Sequence, residues 1–240
     1  GEDDIDELLE YETHATFDYS VNSRYEQIAP GDLFLIENQY YLMIGQECDV
    51  VKRKEGSRKD YAATLVKVSL NNDAEIENTF WKSGATRYCI AGFCVDPGKM
   101  ADRKNLCINY GRAYFQPFES LDLCSLSASG RAYLNLEAGV GPNMKDLLPD
   151  FRLAHVEELL VQYKDMQTCQ NGRGCPAPHV SMLLASPQYQ DNAVSFDIQR
   201  ICRLRRDYLL QVHNAHHQYK MRGALGLFDL SQSAEIVVYV

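Results

Sequence analysis

The sequence predicts an α+β protein: a small SH3-like or other β-barrel, then a two-helix region whose C-terminal strand returns to the sheet. Three observations carry that expectation. Short apolar runs separated by Gly, Pro, Asn and Asp turns fill residues 28–138, a pattern of short strands that gain by closing on themselves. Beyond about residue 139 the apolar spacing lengthens to the helical period. The closing run Glu235–Val240 (EIVVYV) is β-branched and aromatic, so it needs a partner sheet. That pairing would make residues 28–138 and 139–240 one unit, preceded by an acidic segment, residues 1–27.

The acidic opening Glu2–Glu12 (EDDIDELLEYE) reads as a solvated tail or short helix. Gly1 stands where an initiator Met is expected and is read as an expression remnant or a cut end, leaving room for a domain upstream. Pro30-Gly31-Asp32 is a turn, and Leu33–Ile36 follows as a strand. Glu37-Asn38-Gln39 turns the chain so that Tyr40–Gln46 returns as the second arm of a hairpin. Lys52–Asp60 (KRKEGSRKD) is a charged loop, and Tyr61–Leu70 alternates like a half-buried strand. Further strands are expected at Glu75–Trp81, Arg87–Ala91, Asn105–Tyr110 and Arg131–Leu136.

In Lys145–Met166 the apolar residues Val156, Leu159, Leu160 and Tyr163 recur at helical spacing. Pro149 moves the start of that helix to Asp150 or Phe151. Thr168–His179 is a Gly/Pro-rich loop. A second long helix is expected from Phe196 to Met221, capped by Ser195 or Asp197 and stopped by Gly223, with Ile201, Leu204, Tyr208 and Val212 as its apolar line.

Composition narrows the function classes. Of the 240 residues 45% are hydrophobic and 24% charged, ordinary for a globular chain and enough for a real core. No apolar run reaches the roughly 20 residues of a membrane span, and no secretory pattern opens the chain. The net charge of -9 argues against broad binding to a phosphate backbone. The eight cysteines sit mostly in apolar stretches such as AGFCV and LDLCSL, which reads as buried thiols in a reducing cytoplasm.

Five groups of residues are candidates for chemistry. Cys169, Cys175 and His179 have donor types that suit zinc, with a fourth ligand from His213, His216 or His217, although the spacing is irregular for a structural site. Cys89 and Cys94 would make another half-site, but their apolar neighbours favour core thiols. Glu47, Cys48 and Asp49, with Arg53 and Arg58, end the hairpin in groups able to act as acid, base, nucleophile or phosphate clamp. The plainer reading is a set of structural or solvated ion pairs. His213 and His217 share a helix face without the Glu of a metalloprotease motif, which favours an exposed polar face. Arg200, Arg203, Arg205 and Arg206 form a basic band expected to pair within the chain or between domains. P-loop, dinucleotide-binding and G-x-S-x-G signatures are missing.

Two segments carry a resemblance. GDLFLIENQYYLMIGQECDVVKRKEGSR is similar to the opening of an uncharacterised group of bacterial domains with a G-D-x-F…Y-Y-x-x-x-x-Q-x-C-D core. RICRLRRDYLLQVHNAHHQYKMRGAL resembles a helix that often follows it, and the two cover about a fifth of the chain. The hairpin also looks like the start of PemK/MazF-type toxin barrels, which would imply ribonuclease activity. The leading expectation is a non-enzymatic interaction or regulatory module of a bacterial cytoplasmic protein. Its partner would be a protein or another domain of the same polypeptide. A phosphate- or nucleic-acid-directed enzyme and a zinc-stabilised domain are the alternatives.

Overall fold

The computed structural model describes residues 2–72, 87–96, 102–171 and 184–225. Helix α1 (Glu2–Thr16) leads into the short strand β1 (Phe17–Asp18). The hairpin β2 (Asp32–Ile36) and β3 (Gln39–Ile44) follows as expected, and Glu37 and Asn38 take positive φ at its two-residue turn. The one-turn helix α2 (Glu47–Val50) precedes β4 (Ala62–Asn71), β5 (Arg87–Phe93) and β6 (Lys104–Pro117). Helix α3 (Phe118–Asp122) continues into a 3-10 turn, Leu123–Leu126, and then β7 (Arg131–Asn135). Short α4 (Pro142–Lys145) and long α5 (Asp150–Asn171) come next. The chain then forms β8 (Gln188–Gln190), β9 (Ala193–Leu204) and α6 (Arg206–Leu225).

All the pairings are antiparallel, in the order β1-β9-β2-β3-β4-β6-β5, with β7 and β8 also on β9. The α+β class holds, but the expected SH3-like or other barrel does not close. Among the described residues the strand path ends at β1 and β5, and no ladder joins them. Apolar side chains line both faces. Phe34, Met43, Leu65 and Ile198 pack with Val156, Leu159 and Tyr163 of α5 on one face. Leu33, Leu42, Val66, Ile108 and Cys202 pack with Val212 of α6 on the other. Helices that cover both faces do the work that barrel closure was expected to do for one.

The second long helix is the main correction. Ala193–Leu204 is a strand, so Ser195 and Asp197 cap nothing, and α6 starts only at Arg206 and passes Gly223. The helical line Ile201, Leu204, Tyr208 and Val212 runs across the junction of a strand and a helix. A register shift in the β2–β9 pairing interrupts the alternation of this strand. Leu33 faces Cys202 but Phe34 faces Arg200, so Ile201 is an extra residue on β9. That bulge moves the apolar face, and it turns Arg200 and Arg203 toward one carboxylate, Asp32.

Two other expectations change. Cys89 and Cys107 stand opposite each other on β5 and β6 and form a disulfide, where reduced thiols were expected. Cys94 and Cys124 are buried as read from their neighbours, Cys202 is buried as well, and Cys48 is exposed. The strands expected at Arg87–Ala91 and Asn105–Tyr110 extend to Phe93 and Pro117. The expected strands Glu75–Trp81 and Glu235–Val240 lie outside the described residues.

Candidate functional site

Helix α5 starts just after Pro149, and its first turns present Arg152, His155 and Glu158 at steps of three along one face. The alternate positions Val156, Leu159 and Tyr163 are buried against the sheet, which fixes the rotation of the helix. Opposite this face lie the end of α3, with Asp122, the 3-10 turn with Ser125, and the loop after α2 with Lys52 and Arg58. The result is a narrow crevice lined by Gln27, Lys52, Asp122, Ser125, Arg152 and His155, with an apolar wall that includes Leu126 and Phe151.

Asp122 is the centre of the cluster. Arg58 grips both its oxygens, Nη1 to Oδ2 at 3.0 Å and Nη2 to Oδ1 at 2.9 Å, and lies over the Phe118 ring. His155 Nε2 is 2.8 Å from Asp122 Oδ2. His155 Nδ1 contacts Lys52 Nζ, which also reaches Glu158 Oε2 at 2.6 Å. A carboxylate only accepts, so His155 Nε2 donates to Asp122, while Nδ1 lies between the Lys52 ammonium and Glu158 Oε2, 3.2 Å from the latter. Arg152 binds neutral oxygens: Ser125 Oγ at 2.7 Å, Ser125 O, and Tyr25 O.

Burial on its own would raise the Asp122 carboxyl. The hydrogen bonds from His155 and Arg58, together with the Arg58 charge, outweigh it and hold the group at about 2. The hydrogen bond from Lys52 lowers Glu158 as well. Burial brings the Arg152 guanidinium down to about 10, so it stays charged near neutrality. The neighbouring Cys124 thiol is pushed up to about 12 by burial, which removes it as a nucleophile. The Lys52–His155–Asp122 chain is able to pass a proton or to hold an anion beside Lys52 and Arg152.

The hairpin-end candidates do not converge. Arg58 turns inward to Asp122, while Asp49 pairs with Lys59 at 3.1 Å. Arg53 lies near Glu55 at 3.9 Å, on the surface. Glu47 and Cys48 are exposed, and Cys48 Sγ lies 3.5 Å from Gln46 Oε1 and from Asp49 Oδ1, a carboxylate that is itself taken by Lys59. Of these five residues Arg58 alone belongs to the crevice cluster.

His213 and His216 are half-buried on α6, not exposed as expected, and His216 lies against the Tyr110 ring; His217 is exposed. Among the described residues no group of three His, Cys, Asp or Glu side chains could hold a metal. The zinc candidates Cys169, Cys175 and His179 fall outside the described side chains. Arg200, Arg203, Arg205 and Arg206 are not one helix band: the first two are on β9 and the last opens α6. Arg200 and Arg203 pair within the chain, with Asp32 and Glu26.

Sequence reasoning missed Lys52, Asp122, Ser125, Arg152 and His155 as a set. One signal was present: Asp122 is an acid inside the apolar run LDLCSL, where a carboxylate needs a partner. No family model, no curated protein and no solved structure matches the chain.

Proposed function

We propose that the chain is a non-enzymatic interaction or regulatory module of a bacterial protein, which binds a protein partner or another domain of its own polypeptide. One observation carries this reading: Asp122 and Glu158, the carboxylates that meet in the crevice, are already committed to neighbouring side chains. Arg58 and His155 occupy Asp122, and Glu158 occupies Lys52. Such pairs hold α5 against α3 and the loop after α2, and so make a rigid frame for presenting a surface. No described helix is long and apolar enough to cross a membrane.

The Asp122–His155 contact favours a second reading, an acid–base site of a phosphate-directed or toxin-like ribonuclease activity. One assay separates the two. Cleavage of single-stranded RNA and of phosphomonoesters is measured with the purified chain and with His155→Gln and Lys52→Gln. The module reading expects no turnover that either substitution changes. A turnover lost in His155→Gln, with the fold intact by circular dichroism, overturns it.

A further inference from the structure

The charges around the crevice do not balance. Among the described residues Lys52, Arg58 and Arg152 face two carboxylates, Asp122 and Glu158. Arg58 and Asp122 neutralise each other, as do Lys52 and Glu158. Among the described residues no carboxylate pairs with Arg152, whose hydrogen bonds go to two carbonyl oxygens and a hydroxyl. Neutral oxygens satisfy its geometry, and the carboxylate whose field reaches it, Asp122, is already gripped by Arg58, so one positive charge is left over. A half-buried guanidinium keeps its proton at neutral pH, and a partly dry wall strengthens its field. Leu126, Phe151, Val156 and Leu159 form that wall.

We propose that the crevice is an anion site that takes one oxygen of a carboxylate or phosphate group beside Lys52, Arg152 and Gln27. The free space is about that of one water molecule, so a single oxygen enters and the rest of the ligand stays outside. A free anion and an acidic side chain on a partner share this chemistry. The inference rests on the interaction-module reading only for which of these supplies the oxygen.

The experiment follows the His155 ring resonances of the whole chain at constant ionic strength. Acetate, inorganic phosphate and a short glutamate-containing peptide are titrated separately. The expected result is a saturable shift with at least one of the three, weakened about tenfold or more in Arg152→Gln. Saturation by acetate or phosphate identifies a free anion as sufficient; saturation by the peptide alone identifies a partner's acid. Shifts that stay linear with all three overturn the site. So does an affinity unchanged in Arg152→Gln. Lys52→Gln takes its place if that variant does not fold. Neither failure bears on the module reading, which stands or falls on the turnover assay.

Discussion

Arg200 and Asp32, both fully enclosed, meet across β9 and β2 with 3.4 Å between guanidinium and carboxylate. Arg203 reaches the same carboxylate at 2.6 Å, because the bulge at Ile201 turns both arginines to one face. Arg200 also donates to Asn22 Oδ1 and to the carbonyls of Val21, Glu26 and Gln27. One side chain thus ties residues 21–32 to the middle of the sheet.

Replacing Arg200 should therefore be costly although Arg203 stays. Arg200→Met orphans several buried acceptors and is expected to lose about 3 kcal/mol or more. Arg200→Lys recovers only part of this, since an ammonium lacks the planar fork. Urea midpoints of the two variants check the order.

Asp122 should contribute to the acid sensitivity of the fold. Its carboxyl lies at about 2 when folded against 3.8 as the reference value. Between those values the unfolded chain binds more protons, so the contribution is present above about pH 4 and fades as pH falls toward 2. The shift corresponds to roughly 2 kcal/mol. Asp18, held at about 2 by Ser20 and Arg24 against its burial, titrates in the same window. The informative quantity is thus the difference between wild type and Asp122→Asn in urea melts from about pH 5 to about pH 2.5. Near neutral pH that variant should already be about 3 kcal/mol less stable, because Arg58 loses its counter-charge and His155 loses a carboxylate acceptor.

Gly130 is required where it stands. Its φ is +69°, and a Cβ built there would sit 2.2 Å from the Arg200 carbonyl oxygen. Gly130→Ala should cost about 3 kcal/mol or more by combining a left-handed backbone with a main-chain clash. At Gly141 an added Cβ meets nothing within 4 Å, so Gly141→Ala should stay within about 0.5 kcal/mol of wild type. Thermal melts of the two variants provide the contrast.

Helix α6 should loosen in mild acid. Burial lowers His213 below its usual 6.5, and burial followed by Lys220, His213 and His217 lowers His216. Below 6.5 the unfolded chain takes up protons that the folded chain resists, so stability falls as pH drops from 6.5 toward the folded values and levels off below them. The Tyr110 ring of β6 lies against both His216 and Tyr219, and Tyr88 from β5 donates to Gln211. His213→Gln and His216→Gln should each flatten the fall in urea midpoint between about pH 8 and about pH 5. An unchanged slope in both would show that other groups cause it.

Local chemistry made part of this protein legible. The β2–β3 hairpin, the strand at Ala62–Asn71 and the start of α5 at Asp150 follow from turn residues, period-two alternation and a proline boundary. Each of those signals lies within a few residues of the element it sets. The candidate cluster has no such signal. Asp122 meets Arg58 across 64 residues and His155 across 33, and Lys52 meets His155 across 103.

The sequence by itself determined which stretches turn, which alternate and where the first long helix begins, because these depend on neighbouring side chains. Only the tertiary structure decided that β9 is a strand. Its bulge breaks the alternation and its buried face carries Arg200, so the strand is stable only with Asp32 and Asn22 in place. The open sheet and the Lys52–His155–Asp122 crevice were decided at the same level, since a charge is worth burying only where a distant part of the chain brings its partner.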